Sequence, residues 1–314
     1  MGGVYAMVWL FVSLGGILLI SYLCYWITFY NPVCRHSEPV EHSKGPQYLQ
    51  YLPRLNELTG RLDCIPYEQV RIFARDGITL AARYYHVRDD APLLIQFHGY
   101  RGSGIRDFCG GCTLAMELGY NVLLVDQRAH GLSGGDTMSF GILERYDCKR
   151  WVEYALDRFG NEIKIVLFGI SMGASTVLMA LSLDMPKQVV GVIADSPFSS
   201  PGVIIRKVCR DIKLPAVIIY PFVVLGAILF GRFFIWEMDC EKAVKDSQIP
   251  ILLIHGEDDR FVPKEMSQQI SRCNRNIKTA FFQGAGHVLS FASDEVRYRD
   301  LLRDFVSFCI EHDI

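Results

Sequence analysis

Between residues 69 and 310, short apolar runs alternate with longer stretches of helical spacing, and this alternation most restricts what the chain can become. Residues 69–87 read as a hairpin, with VRIFA, a turn at Asp76-Gly77 and then ITLAARYYHV. Further strands are predicted at 93–97, 121–125, 164–168, 189–194, 251–254 and 279–282. Helices are predicted at 107–118, 145–159, 172–183, after Pro263, and at 294–310. Strands that are apolar throughout and separated by helices imply an α/β fold, a mostly parallel sheet with helices on both faces. In such a sheet, reactive side chains gather at the carboxyl ends of the strands.

One strand end carries a specific signal. KIVLFGISMGAST is an apolar strand, then Gly169-Ile170-Ser171-Met172-Gly173, then small residues opening a helix. A serine on so sharp a strand-to-helix turn has strained backbone angles, and the two glycines remove side chains that would strike neighbouring backbone. The turn exposes the Ser171 hydroxyl and aims the Met172 N–H at the place where charge develops on an attacked carbonyl. A serine hydroxyl also needs a base oriented by a carboxylate, both on later strand ends. After ILLI comes HGEDDRFVP, and after TAFF comes QGAGHVLSF, giving the order Ser171, Asp259, His287.

With these residues in place, residues 70–310 resemble an α/β-hydrolase, and within that superfamily the serine-aminopeptidase-type and bem46-like branch, whose members often carry an amino-terminal membrane anchor. The branch's HGxxDxxVP pattern falls on His255, Gly256, Asp259, Val262 and Pro263, which selects Asp259 over Asp258. Asp195, after the strand VVGVIA, is the other competing acid and reads as a turn cap. A GxGH-like loop matches Gly284, Gly286 and His287. The resemblance puts a second oxyanion donor on the Tyr100 N–H, in the loop HGYRGSG, beside that of Met172. The segment DQRAHGLSGG matches the family's D-x-R-x-x-G-x-S and reads as a tight loop held by Asp126 and Arg128.

Other candidates have plainer readings. His36, His42 and His312 lie in polar flanks, His86 ends a hairpin strand, and His98 and His255 read as structural. Cys109-Gly110-Gly111-Cys112 lacks a second ligand pair at metal spacing, so it reads as two incidental thiols. No metal or organic cofactor is required by the serine chemistry. Ten cysteines spread over 314 residues do not describe a disulfide scaffold, and a net charge of -2 gives a nucleic-acid partner no electrostatic support.

Half of all residues are hydrophobic and 21% are charged, so two greasy segments need a place. Residues 4–30 contain no charge and exceed the roughly 20 residues that a helix needs to cross a bilayer core. Tyr5 and Trp9 at one end, and Tyr22, Tyr25, Trp26 and Tyr30 at the other, suit the interfacial levels. A cleaved signal peptide would want a basic n-region and a small-residue cleavage site, and neither is evident. A myristoylation reading of the start MGG fails on Ala6. The expected organisation is a single-pass anchor at 1–33, a juxtamembrane linker at 34–66 with Pro39, Pro46 and Pro53, and a hydrolase domain at 67–314. Arg35 and Lys44 after the span, with no basic residue before it, place that domain in the cytoplasm.

The second greasy segment, 214–236, lies in an insertion at about 199–247. A span there would put Ser171 and the pair Asp259 and His287 on opposite sides of the bilayer, so the insertion is expected as a helical cap whose apolar side chains roof the pocket or touch lipid. Such a roof favours an apolar acyl group. Arg206, Lys207, Arg210 and Lys213 before it read as a solvated face, with anionic headgroups as the alternative. Together these features point to a membrane-anchored serine hydrolase acting on a small-molecule or lipid-like carboxylic ester, with membrane lipid as its other partner. An aminopeptidase, amidase or thioesterase uses the same machinery, and a non-catalytic ligand-binding protein is the reading from another class.

Overall fold

The computed structural model describes residues 2–31, 41–42 and 45–312. Pro32, Arg35, His36, Pro39 and Lys44, and with them the basis of the orientation, lie outside the described residues.

Eight strands form one sheet: β1 (Glu68–Phe73), β2 (Thr79–Tyr85), β3 (Leu93–Phe97), β4 (Asn121–Asp126), β5 (Ile165–Ile170), β6 (Val189–Asp195), β7 (Ile251–Gly256) and β8 (Ile277–Phe282). Their spatial order is β1-β2-β4-β3-β5-β6-β7-β8. β2 pairs antiparallel with β1 and with β4, and every later pairing is parallel. The continuous apolarity of the central strands follows from burial on both faces: β3 sends Leu93, Ile95 and Phe97 into one core and Leu94 into the other.

One face is covered by α5 (Glu144–Phe159), α6 (Met172–Ala180), α9 (Cys240–Val244) and α10 (Lys264–Ser271). The other carries α2 (Leu52–Asp63), α3 (Gly104–Asp107), α4 (Cys109–Glu117), α11 (Ser290–Ser293) and α12 (Glu295–Glu311). The helix predicted at 107–118 is α4, and a separate short turn, α3, precedes it across Phe108.

The amino-terminal segment is one helix, α1 (Gly2–Thr28), 27 residues long and so about 40 Å. Residues 9–15 are exposed, whereas Ser21, Tyr25 and Phe29 are buried at helical spacing. The insertion folds as α7 (Pro201–Asp211), α8 (Ala216–Gly226) and a π-helical turn at Ala227–Gly231, and this unit packs on the second half of α1.

The stretch expected as a linker is partly built into the fold. α2 lies within it, and its Leu55, Leu58 and Leu62 are buried in the core that also holds Cys112 and Leu114. The leucine spacing of three and four is the amphipathic signal that the surrounding prolines and polar residues obscure.

Candidate active site

Ser171 stands where β5 meets α6, with φ 54° and ψ −114°, outside the ordinary regions for an L residue. The glycines on either side explain why the sequence tolerates this. A Cβ on Gly169 would lie 2.1 Å from the Gly173 carbonyl oxygen, and one on Gly173 would lie 1.8 Å from that of Phe97. The Ser171 N–H donates to the Asp195 carbonyl on β6 at 2.8 Å, which ties the strained turn to the sheet.

The structure brings Ser171, His287 and Asp259 into one hydrogen-bonded chain. Ser171 Oγ is 3.0 Å from His287 Nε2, and His287 Nδ1 is 2.7 Å from Asp259 Oδ2. Asp259 Oδ1 accepts the Phe261 and Val262 N–H groups at 2.9 and 2.8 Å, so the carboxylate is aimed by its own loop. Burial alone would push the Asp259 carboxyl up. The charge and hydrogen bond of His287, with the neighbouring His255, outweigh burial and hold it well below the usual carboxylate range. His255 is buried in turn between Ser267 Oγ and the Val262 carbonyl, the structural place expected for it.

The two competing acids do not reach His287. Asp258 is exposed, and Asp195 accepts hydrogen bonds from Tyr298 Oη at 2.9 Å and Ser196 Oγ at 3.0 Å. Burial pushes Asp195 up to about 6.

The loop after β3 lies against this chain, close enough that a Cβ on Gly99 would sit 3.4 Å from Ser171 Cβ. Its amides are anchored on both sides of Tyr100: the Gly99 N–H donates to Asp107 Oδ2 at 2.8 Å, and the Arg101 N–H to His130 Nε2 at 3.1 Å. His98 packs behind, accepting from the Gln127 N–H and bonded to the Gly99 carbonyl through Nδ1. Burial, and then His98 beside it, pushes His130 down to about 3, so it remains a neutral acceptor for the loop. The Tyr100 peptide is thus held rigidly beside Ser171, and Met172 opens α6 on the other side.

A cavity of about 520 Å³ opens onto Ser171 and His287. Leu55, Tyr100, Phe261, Leu289 and Phe291 give it apolar walls, and Glu41, His42, Tyr48, Arg106 and Cys109 also line it. Arg106 is paired with Asp107 at 2.7 Å.

Residues 92–221 match the family described as "Serine aminopeptidase, S33". YqkD of Bacillus subtilis is 27% identical over 226 residues, covering 71% of this chain and 74% of that protein. YfhR of Escherichia coli K12 is 26% identical over 193 residues, 60% of this chain and 61% of that protein. Among solved structures, the esterase Pf2001 of Pyrococcus furiosus superposes with a TM-score of 0.61 at 24% identity, covering 81% of this chain and 94% of that one. Est1E of Butyrivibrio proteoclasticus, solved with ferulic acid bound, gives a TM-score of 0.60 at 20% identity, covering 77% and 99%. The chain has the α/β-hydrolase fold.

The roof of the cavity differs from the expected one. Among the described residues, none of 199–247 lines the cavity; the covering side chains come from His42, Tyr48 and Leu55, between α1 and β1. The physical reason is that the insertion's apolar face found another partner, α1, so its side chains pack on a helix. The insertion touches only the rim, where Lys207 donates to the Arg260 carbonyl and its ammonium lies 5.8 Å from the Phe261 ring centroid.

Several residues of the site were silent in the sequence. Tyr48 Oη donates to the His287 carbonyl at 3.0 Å, and burial pushes its phenol up to about 12. His42, read as a polar flank, lies on the cavity wall with Nε2 2.8 Å from Thr59 Oγ1. Asp107 and His130 hold the loop after β3 by accepting its Gly99 and Arg101 N–H groups. Their one sequence signal is position, a few residues beyond strand ends. The DQRAH segment behaves as the tight loop expected: Arg128 grips Asp147 through two bonds of 2.6 and 2.7 Å, and Asp126 Oδ2 accepts the Leu132 N–H. Cys109 and Cys112 are both free and buried in the first turn of α4.

Proposed function

We propose that this chain is a serine hydrolase that cleaves carboxylic esters through an acyl-enzyme and is held at a membrane by α1. The observation that carries the reading is the unbroken hydrogen-bond chain from Ser171 Oγ through His287 to Asp259 Oδ2, with Ser171 at a strained strand-to-helix turn. Ser171 attacks the carbonyl carbon while His287 Nε2 takes its proton. The Met172 and Tyr100 N–H groups receive the oxyanion, and the protonated His287, stabilised by Asp259, gives the proton to the leaving alcohol. Water then repeats the sequence on the acyl-enzyme and returns the serine.

Ester substrates are favoured by the likeness to Pf2001 and Est1E and by the apolar walls Leu55, Phe261 and Phe291. An aminopeptidase reading needs a carboxylate to hold an α-ammonium. Two acids of the cavity wall are already engaged, Asp107 by Arg106 and the Gly99 N–H, and Asp195 by Tyr298 and Ser196, which counts against such a substrate. For α1, retention is favoured over cleavage by packing: Phe29 is 0% exposed, with its ring 5.1 Å from Phe233, so removing the segment would open the domain's core.

The test is fluorophosphonate labelling of wild type and Ser171→Ala, followed by a series of chromogenic esters and aminoacyl amides. Labelling that depends on Ser171, with ester turnover far above amide turnover, is expected. A folded wild type that does not label would overturn the reading, and turnover of aminoacyl amides alone would replace the ester with a peptide.

A further inference from the structure

The insertion that fails to roof the pocket presents its apolar side chains elsewhere. We propose that the tip of the α7–α8 hairpin is a second membrane contact, lying in the leaflet beside α1 and taking an anionic phospholipid headgroup between Arg206 and Arg210. The proposal rests on the reading of α1 as an anchor and extends it to a surface within the folded domain.

The direction of the hairpin comes from its register on α1. A Cβ on Gly226 would lie 2.5 Å from the Ser21 carbonyl oxygen and 3.0 Å from Tyr25 Cβ, so the two helices touch backbone to backbone there. Further along, the Phe230 ring lies 5.1 Å from Tyr22 and 5.8 Å from Tyr25, and the Phe233 ring 5.1 Å from Phe29. Contacts advance from Ser21 to Phe29 as the insertion advances from 226 to 233. α8 therefore runs in the same sense as α1, and its first turn, with the preceding bend, points toward the half of α1 that leaves the domain.

At that bend Ile212 and Ile218 are largely exposed, Leu214 is also exposed, and Val217 is 90% exposed. Four aliphatic side chains bared together beside an exposed apolar helix are a surface that water does not favour. α8 is 11 residues long, about 16 Å, with Pro221 inside it, so it is too short to cross a bilayer core but long enough to lie in one leaflet.

Charge completes the pattern. Arg206 and Arg210 line a groove of about 420 Å³ with Leu214, Pro215, Val217 and Tyr220. The Arg206 guanidinium stacks 4.6 Å from the Tyr220 ring centroid. Among the described residues neither arginine has a carboxylate partner, although Lys207 between them pairs with Asp211. Guanidinium groups over an apolar tip match the layering of an interface, phosphate above and acyl chain below.

The test uses the full chain in nanodiscs of phosphatidylcholine with or without phosphatidylglycerol. A bimane label is placed on Val217→Cys, on Leu10→Cys in α1, or on Asn161→Cys, which is exposed at the opposite end of the sheet; each is read against the unsubstituted chain labelled identically. Lipids brominated in their acyl chains serve as quenchers, and iodide reports exposure to water. Quenching by bromolipid at Val217 several times that at Asn161, rising with phosphatidylglycerol, is expected. Arg206→Gln with Arg210→Gln should remove most of that rise, since each basic group at an anionic surface is worth about fivefold in binding. Val217 quenched by iodide as strongly as Asn161, and not by bromolipid, overturns the proposal. A rise with phosphatidylglycerol that survives both glutamines overturns the headgroup assignment. Leu10 judges the anchor separately: quenched at Val217 but not at Leu10, the hairpin contact stands and the anchor falls, and the reverse result removes the hairpin alone.

Discussion

Tyr48→Phe removes one oxygen and keeps the ring that walls the cavity. That oxygen donates to the His287 carbonyl over 3.0 Å, and the next residue, Val288, has φ 58°. A β-branched residue enters that region at a cost on the order of 1–3 kcal/mol, so the His287–Val288 peptide stays there only while its surroundings hold it. A buried carbonyl that loses its donor is destabilised by about 1–3 kcal/mol, which is comparable with the strain being restrained. Without the hydroxyl, relaxation of this peptide carries the imidazole off its 3.0 Å bond to Ser171 Oγ. If about 1.4 kcal/mol of this reaches the transition state, kcat falls about tenfold. KM should stay within about twofold, because the cavity wall is intact. With the phenol pushed up to about 12, it is a donor throughout the neutral range, and the loss should be the same at every pH assayed there. The measurement is kcat and KM on a chromogenic ester from pH 6 to 9, with enzyme concentration fixed by fluorophosphonate titration so that unfolded protein is not counted. A titrated kcat equal to that of wild type would refute the reasoning, even if the variant melted at a lower temperature.

Asp259→Asn should reduce kcat by about four orders of magnitude while fluorophosphonate labelling persists slowly, because the asparagine stabilises the wrong imidazole tautomer; a loss below tenfold would remove Asp259 from the mechanism. Gly173→Ala should give no soluble folded protein, since its Cβ would lie 1.8 Å from the Phe97 carbonyl oxygen, and a normal melting curve would contradict the elbow geometry. Burial holds Asp195 up at about 6, so between the ordinary carboxylate value near 4 and pH 6 the folded chain keeps a proton that the unfolded chain has released. Stability therefore falls as pH rises through that window, by about 3 kcal/mol in all. Urea titrations should show this slope in wild type and its reduction in Asp195→Asn, the remainder belonging to Asp147, which burial also pushes up to about 6.

The strands and the Ser171–His287–Asp259 order were legible because each signal is local. An apolar run bounded by Gly or Asp marks a strand wherever it packs, and the residues after it inherit a position at the sheet's reacting end. The roof was not legible because hydropathy states that a segment must be covered and does not state by what. Residues 4–30 and 214–236 each called for an apolar partner, and the chain gave them partly to each other at Ser21, Tyr25 and Gly226. The cavity was left to Leu55 and Tyr48, which sit among prolines and polar residues where no strong period stands out. Tyr48 carries no motif, and only the folded chain brings it to His287, 239 positions away.

One consequence reaches beyond the roof. Tyr100, whose N–H is the proposed oxyanion donor, sends its side-chain hydroxyl to the Thr28 carbonyl at the end of α1, at 2.9 Å. Arg101, the next residue, donates to the carbonyls of Ile27 and Tyr30 at 3.0 and 3.1 Å. The Ile27 and Thr28 carbonyls are orphan acceptors of a helix carboxyl terminus, so the loop proposed to serve the oxyanion is also the cap of α1. The segment after that helix then returns as His42, Tyr48 and α2 to cover Ser171 and support His287. A tether could be exchanged for any other apolar helix without touching the chemistry. Here the exchange would alter both sides of the reacting carbonyl, so α1 and the segment after it act as structural members of the active site.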